Sequence, residues 1–590
     1  MSDYLFSSAV TNIGSLSQSL SEIYATNVPK TQEFHGDWGS LAITQGHYCG
    51  FLPYENDQHI MVVIGGPVLY FRDNDFLTAE ASSEATEAIY SRWIVEKRIL
   101  WDEDLSGPFT VLLVDKKRKT VTVVTDLMAF IPVYSCQKSG ELYLGTHVDA
   151  LAKAAGEEGM FDKVSLADFV LNDAVTYPYT AYKSLRQVTP SSEVSYSGPE
   201  LQPTTSSYWI PKEENPYANL QEAAEALRCG ISGYVERVTQ KMSRVAQFIS
   251  AGEDSRALSG LLPERLQRDA YVFLDDMNRE GKIAKRVAEI YGANFTVGYR
   301  TSTHYLEILP EASNLVGSGH QYCHSHSLGF DREYRLASYS AVFGGYLSDS
   351  LLKGVFARKL RGADRLPFLP QFYLSGESRR KPINSSVINK KILAEINQRR
   401  KERFSVIQSE RPVTAHEWFV LRPASMRVAI PNFYSTRRLF ASYEPFMCKE
   451  AVKVSAAVPT SWKLNRRLFN RAMKPYLKKS KWLLHADGRL PYFGWWMNMP
   501  LQVCIWSARH LTSLLGLNNG NQGPWGDWRW NVKSEKWVGM VDKYRDSQLI
   551  VDILSDEENT EKVFSFERLR VISRVNLMQS LYLYEHKSSI

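Results

Sequence analysis

QFISAGEDSRAL, residues 247–258, is the stretch whose reading decides the fold. An apolar, partly β-branched run from Val245 to Ile249 stops at Ser250-Ala251-Gly252-Glu253-Asp254-Ser255. Packing alone gives a strand no reason to end so sharply. A strand, a small-residue turn and a helix together make the geometry that binds phosphate. Successive backbone N–H groups form a concave anion site, and the helix N-terminus adds a favourable dipole. Ser250 and Ser255 offer hydroxyl donors, and Gly252 permits backbone conformations closed to other residues. Asp254 would repel phosphate by itself, so it calls for a cation, most simply Mg2+. The same letters also describe an ordinary helix with Asp254 or Ser250 as N-cap. The pattern GxxxxGK[ST] is absent, which excludes a P-loop NTPase.

Working outward, residues 219–240 read as a helix with Leu220, Ala223, Ala224 and Leu227 on one face. A strand follows at 245–249, a helix at 254–262, a strand at 270–274, a helix at 280–291 and a strand at 294–298. This alternation predicts a parallel sheet covered by helices. A later strand, Ser340–Phe343, runs into GGYLSDSLLKG (344–354), a second turn that brings Gly344, Gly345, Ser348 and Asp349 together. In a parallel sheet the strand C-termini share one edge, where ligands bind. Asp254 and Asp349 are therefore expected to share Mg2+ and a triphosphate, the alternative being two unrelated turns. Arg256 reads either as a phosphate or carboxylate contact or as a solvated helix charge.

The first ~200 residues are strand-rich instead: 59–71, 108–115 and 120–126 are β-branched runs, the last two split by a KKRK turn. Residues 198–218, with four prolines among Ser and Thr, read as a linker. The chain's 590 residues predict two to four domains, and 44% hydrophobic with 23% charged content is an ordinary globular balance. A net charge of +6, scattered, gives no argument for nucleic acid. Six well-separated cysteines read as reduced thiols. Without a leader-like start or a long apolar run, a cytoplasmic protein is expected. His324 and His326 lack a third ligand at metal spacing and read as packed or polar side chains.

With these segments in view, the sequence resembles the asparagine synthetase superfamily, which includes β-lactam synthetases and lasso-peptide cyclases. That family's SGGxDS loop is SAGEDS here, with Ala251 for a glycine, and its GEGxDE motif is similar to GYLSDS (345–350). LSGPF (105–109), DLMAFIPVY (126–134), GELYLGTHVDALA (140–152), Tyr208-Trp209, EPFM (444–447) and RRLFNRAMKPYL (466–477) resemble further family segments in order. Cys448 replaces an aspartate. The resemblance implies an α/β protein: an N-terminal Ntn-type αββα sandwich of the class II glutamine amidotransferase kind (1–205), a C-terminal ATP-pyrophosphatase-type parallel-sheet domain (219–515) and a C-terminal extension (516–590).

The departures sharpen what it implies. The family's glutamine-cleaving N-terminal cysteine is replaced by Ser2, and its NGE segment reads IGGP (64–67). The first domain is expected to be an inactive remnant, although an N-terminal serine is a nucleophile in principle. Tyr346 stands where asparagine synthetases carry Glu and β-lactam synthetases carry Tyr; in the latter it works with a Glu as base, and Glu377 lies at a plausible separation. Tyr346 also reads as a plain packing aromatic. The family's C-terminal Lys is missing from WLLHADGRLPYF (482–493), leaving Arg489 and Lys353 as candidates for that charge.

The expected function is an ATP-dependent, AMP-forming ligase. It would adenylate a substrate carboxylate and couple it to an amine, within one substrate as in β-lactam synthetases or lasso-peptide cyclases. ATP is held by Ser250, Ala251, Gly252, Glu253, Asp254, Ser255, Arg256, Gly344 and Gly345, and Mg2+ by Asp254 and Asp349. The alternatives are amidation of an amino acid or sugar acid with ammonia, and a non-enzymatic relative that binds nucleotide or a partner. The substrate is expected to be a small molecule or peptide bearing a carboxylate. The reading admits partner biosynthetic proteins and a homodimer, and involves neither nucleic acid nor membrane.

Overall fold

The computed structural model describes residues 2–71, 82–198, 200–360, 366, 368–374, 379–515, 521–555 and 569–588. Its N-terminal part holds two six-stranded antiparallel sheets. One is built on Tyr4–Ser7, Gly39–Thr44 and Glu141–Gly145; the other on His59–Gly65, Phe109–Asp115 and Thr120–Thr125. The period-two rule sorts the first sheet. Tyr4 and Phe6 enter the core shared with Ile64, Val111 and Val123, while Leu5 joins Leu16, Leu20 and Leu151 beneath the covering helices.

The expected linker at 198–218 is only half correct. Gln202–Ser207 forms the edge strand of the second sheet, paired antiparallel with Ser192–Ser197. All six of its residues are exposed. An edge strand tolerates Pro203, whose missing N–H would break an interior ladder. The connection proper begins after Ser207.

The second part centres on a five-stranded parallel sheet in the order Asn294–Tyr299, Gln267–Leu274, Arg244–Phe248, Val342–Phe343, Ser442–Tyr443. Its helices include Leu220–Thr239, Glu253–Leu261 and Arg279–Tyr291. The strand–helix alternation of the sequence is thus realised nearly residue for residue. Arg279–Tyr291 begins at an Asn278 cap, whose side chain accepts from the Gly281 N–H, and ends at left-handed Gly292.

The C-terminal stretch is helical, and its last helix packs into the body of the fold. The helix Val571–Ser588 buries Val575, Leu577, Met578 and Leu581 in the core that also holds Leu166 and Leu315. Asn576 donates to the Phe169 carbonyl, and Gln579 bonds the Tyr322 N–H and the His320 carbonyl. Sequence periodicity missed this because the helix is buried on most sides and shows no clear polar face. No helix among the described residues is long and apolar enough to cross a membrane.

A buried ion network locks the two parts together. Asp3 accepts from Arg438 Nε at 2.9 Å and from Arg437 Nη2 at 3.0 Å, both on the helix Pro431–Leu439. Burial would raise the Asp3 carboxyl; the two guanidiniums outweigh it and hold it well below the usual range. Arg437 also donates to the Ser2 carbonyl. Ser2 is 1% exposed and borders neither of the cavities described below. Asp3→Ala is expected to cost about 3–5 kcal/mol, because two buried cations lose their counter-charge. A denaturation midpoint equal to that of the parent chain contradicts this.

Candidate functional site

The strands Arg244–Phe248 and Val342–Phe343 are neighbours, with Ala246 opposite Val342 and Gln247 opposite Phe343. Their C-termini therefore release the turns 250–255 and 344–349 side by side. The contact is tight. A Cβ on Gly345 would lie 3.2 Å from Asp254 Cβ, and one on Gly344 would lie 2.2 Å from a Glu444 carboxylate oxygen. Gly345 thus lets the two turns pack closely, and Gly344 makes room for the Glu444 carboxylate.

The first turn is prearranged by its own groups. Ser250 Oγ and Ser255 Oγ are 2.8 Å apart, the Ser250 N–H donates to Ser255 Oγ, and the Gly252 N–H donates to Ser250 Oγ. The Ala251 N–H donates to Glu280 at 2.6 Å. Two expectations need correction here. Gly252 has φ −67°, an ordinary value, so its role is room beside Ser250 Oγ rather than a special backbone angle. Arg256 neither reaches the site nor is solvated. It is fully buried and donates to the carbonyls of Leu483 (2.7 Å), Ala251 (3.2 Å) and Leu484 (3.2 Å). Burial pulls its guanidinium down to about 10. Its work is to tie the turn to residues 483–484.

Across the two turns lies a nest of charge. Lys353 Nζ contacts Glu253 at 2.9 Å, Asp349 at 2.9 Å and Asp254. Arg466 and Arg489 also pair with Glu253, at 2.6 and 3.2 Å. Burial alone would raise Glu253, but Lys353, Arg489 and Arg466 outweigh it and hold its carboxyl well down. Asp254 goes the other way, to about 6. Burial is the largest cause, with Asp349 and Glu253 adding to it and Lys353 opposing. Carboxylate oxygens of Glu253, Asp254 and Asp349 lie within 4.8 Å of one another, a hard oxygen set that suits Mg2+. The cavity above, about 660 Å³, is walled by Arg279, Lys353, Arg466, Arg489 and Arg509. One buried nitrogen of Arg489, Nη2, has no partner.

A second cavity, about 230 Å³, opens from the same turns. Phe248, Val272 and Phe273 line one part, and Tyr346, Asn432 and Glu444 another. Pro524 and Trp525 border both cavities. They are anchored by Arg300, which donates to the Pro524 carbonyl at 2.7 Å, and by ring contact of Trp525 with His326, centroids 4.1 Å apart. His326 also bonds the Tyr305 hydroxyl and His324 bonds Gln321, so both histidines are packed, as expected.

Of the residues expected in the site, Ser250–Ser255, Gly344, Gly345, Tyr346, Asp349, Lys353 and Arg489 are brought together. Arg256 is behind the site, and Glu377 lies outside the described residues. The Tyr346 hydroxyl is buried and unpartnered, and burial raises its phenol well above its ordinary value. Such a phenol keeps its proton at neutral pH. Arg466 and Glu444 escaped the sequence reading, although both stand in segments that carried the resemblance, RRLF and EPFM.

Residues 72–209 match the glutamine amidotransferase domain family. No curated protein matches the chain. Similar solved structures include the allosteric regulatory enzyme of purine biosynthesis, 8% identical with TM-score 0.24, over 50% of this chain and 80% of that one. Another is glutamine phosphoribosylpyrophosphate amidotransferase from B. subtilis, complexed with ADP and GMP. It is 8% identical with TM-score 0.25, over 53% of this chain and 92% of that one. Overlap this slight carries no argument, and the C-terminal site stands on its own geometry.

Arg256→Met removes the donors of three carbonyls and unties the turn. Amide exchange across residues 249–255 is expected to quicken about tenfold or more. Exchange unchanged from the parent chain contradicts the structural role of Arg256.

Proposed function

We infer that the chain is an amide-forming ligase that activates a carboxylate with ATP, releasing pyrophosphate. One observation carries this reading: two acidic turns meet at the C-terminal edge of a parallel sheet, between a cavity lined by both Arg/Lys and carboxylate side chains and an aromatic one. The resemblance to the asparagine synthetase superfamily points the same way, and the glutamine amidotransferase match is consistent with an amide-forming enzyme.

The residues divide the work. The N–H groups of Glu253, Asp254 and Ser255 in the first turn of the helix, with Arg466 and Arg489, receive the phosphates. The free Nη2 of Arg489 is a ready donor there. Phe248, Val272 and Phe273 offer the apolar wall a purine base needs. Mg2+, when bound by Asp254 and Asp349, would neutralise charge on the phosphates. Lys353, released from those carboxylates, becomes free to stabilise the departing pyrophosphate, a role for which Arg489 is the other candidate. Attack of the substrate carboxylate on the α-phosphorus then leaves an acyl-adenylate, and an amine attacks its carbonyl carbon. Arg489, already paired to Glu253 and Asp487, holds a fixed position on the cavity wall.

ATP–pyrophosphate exchange with pooled candidate carboxylates tests the reading. Exchange is expected in the parent chain and is expected to fall about a hundredfold or more in Asp254→Ala and in Asp349→Ala. Exchange that both variants retain, or none with any pool, overturns it. A product lacking nitrogen from added ammonium separates coupling of an organic amine from simple amidation.

A further inference from the structure

Glu444 stands just beyond the last strand of the parallel sheet and is 2% exposed. Its carboxylate accepts one hydrogen bond, from the Tyr346 N–H at 2.9 Å, and borders the aromatic cavity. Among the described residues no Lys, Arg or His pairs with it. The ionisable groups that feel its charge are phenols, Tyr48 from the N-terminal part and Tyr346 from the second turn. A buried carboxylate with one hydrogen bond and no counter-charge is costly. Gly344 keeps that side of it clear, since a Cβ there would strike both carboxylate oxygens. The neighbouring Tyr346 hydroxyl is likewise without a partner. A carboxylate with a single hydrogen bond and a hydroxyl with none thus stand together at one end of a cavity that also meets Ser250 and Asp254.

We propose that Glu444 receives the ammonium group of the amine substrate and takes its proton. The inference rests on reading this cavity as the place of amide formation, and it names the second substrate as a primary amine that enters as a cation. One proton passes from the ammonium to the Glu444 carboxylate, leaving a neutral amine with its lone pair free. The new N–C bond forms at the acyl carbon, and the bond from that carbon to the AMP oxygen breaks, its electron pair leaving with AMP. The nitrogen sheds its second proton to the departing phosphate or to water. Tyr346 cannot do this by itself, since its phenol holds its proton. It is placed instead to hydrogen-bond the amine while Glu444 accepts the charge. The carboxyl of Glu444, raised by burial to about 8, lies close to the working range of a general base.

Titration calorimetry of the full chain with n-butylammonium, ammonium and n-butanol tests this. At pH 7 the free carboxyl is mostly protonated, so binding of a cation is expected to release about one proton, read from buffers of different ionisation heat. That release is expected to fade by pH 9, where the carboxyl is already ionised. Both cations or n-butylammonium alone should bind, the comparison deciding between ammonia and an organic amine, and n-butanol should not. Glu444→Gln is expected to weaken cation binding tenfold or more, about 1.4 kcal/mol. Equal binding of n-butanol, unchanged binding by Glu444→Gln, or binding of the cations to the parent chain without proton release overturns the proposal. The proton count needs no variant, so it decides the matter even if Glu444→Gln misfolds. ATP–pyrophosphate exchange is scored separately: cation binding without exchange would sink the ligase reading and leave the Glu444 site standing.

Discussion

The ammonium of Lys353 among Glu253, Asp254 and Asp349 is the contact on which the site depends. Burial alone would drive that lysine to lose its proton, but the surrounding carboxylates outweigh it and keep it charged. The ion pairs join two turns more than 90 residues apart in sequence. Removing the lysine would leave the carboxylates facing one another at short range, a costly arrangement in a desolvated place. Lys353 neutralises the nest; under the proposed function a divalent cation would take over that task and leave the lysine to anionic ligands.

Everything behind the nest serves to hold it. The parallel register sets the two strand ends level, Gly345 allows the turns to touch, and Arg256 fixes the first turn to residues 483–484 from behind. Residues 521–525 close the front through Asn278 and Arg300. Asp3 with Arg437 and Arg438 ties the strand that opens the chain to the helix just before the last sheet strand, and Glu444 follows that strand. The N-terminal sheets thus brace the helix that leads into the last strand of the candidate site.

Much of this was legible in the sequence, for definite reasons. Strands and helices of the parallel sheet alternate with short connections, so their order was readable from periodicity, and both acidic turns stood out because apolar runs end in them. The role of Arg256 was not readable, since a charge one residue past a polar turn gives no sign of being buried on carbonyls. Gly252 misled because glycine suggests an unusual φ, whereas here it only makes room. The edge strand Gln202–Ser207 was hidden by its proline and its wholly exposed side chains. Glu444 was invisible as a site residue because its importance comes from what does not pair with it, a property of the folded chain alone.

A crystal structure of the full chain with Mg2+ and α,β-methylene-ATP tests the central claim most directly. The account predicts phosphates on the N–H groups of Glu253–Ser255, a cation on Asp254 and Asp349, Lys353 turned away from those carboxylates, and the base against Phe248 and Phe273. A nucleotide bound elsewhere, or one bound here with no cation on Asp254 and Asp349 and Lys353 still in their grip, would contradict it.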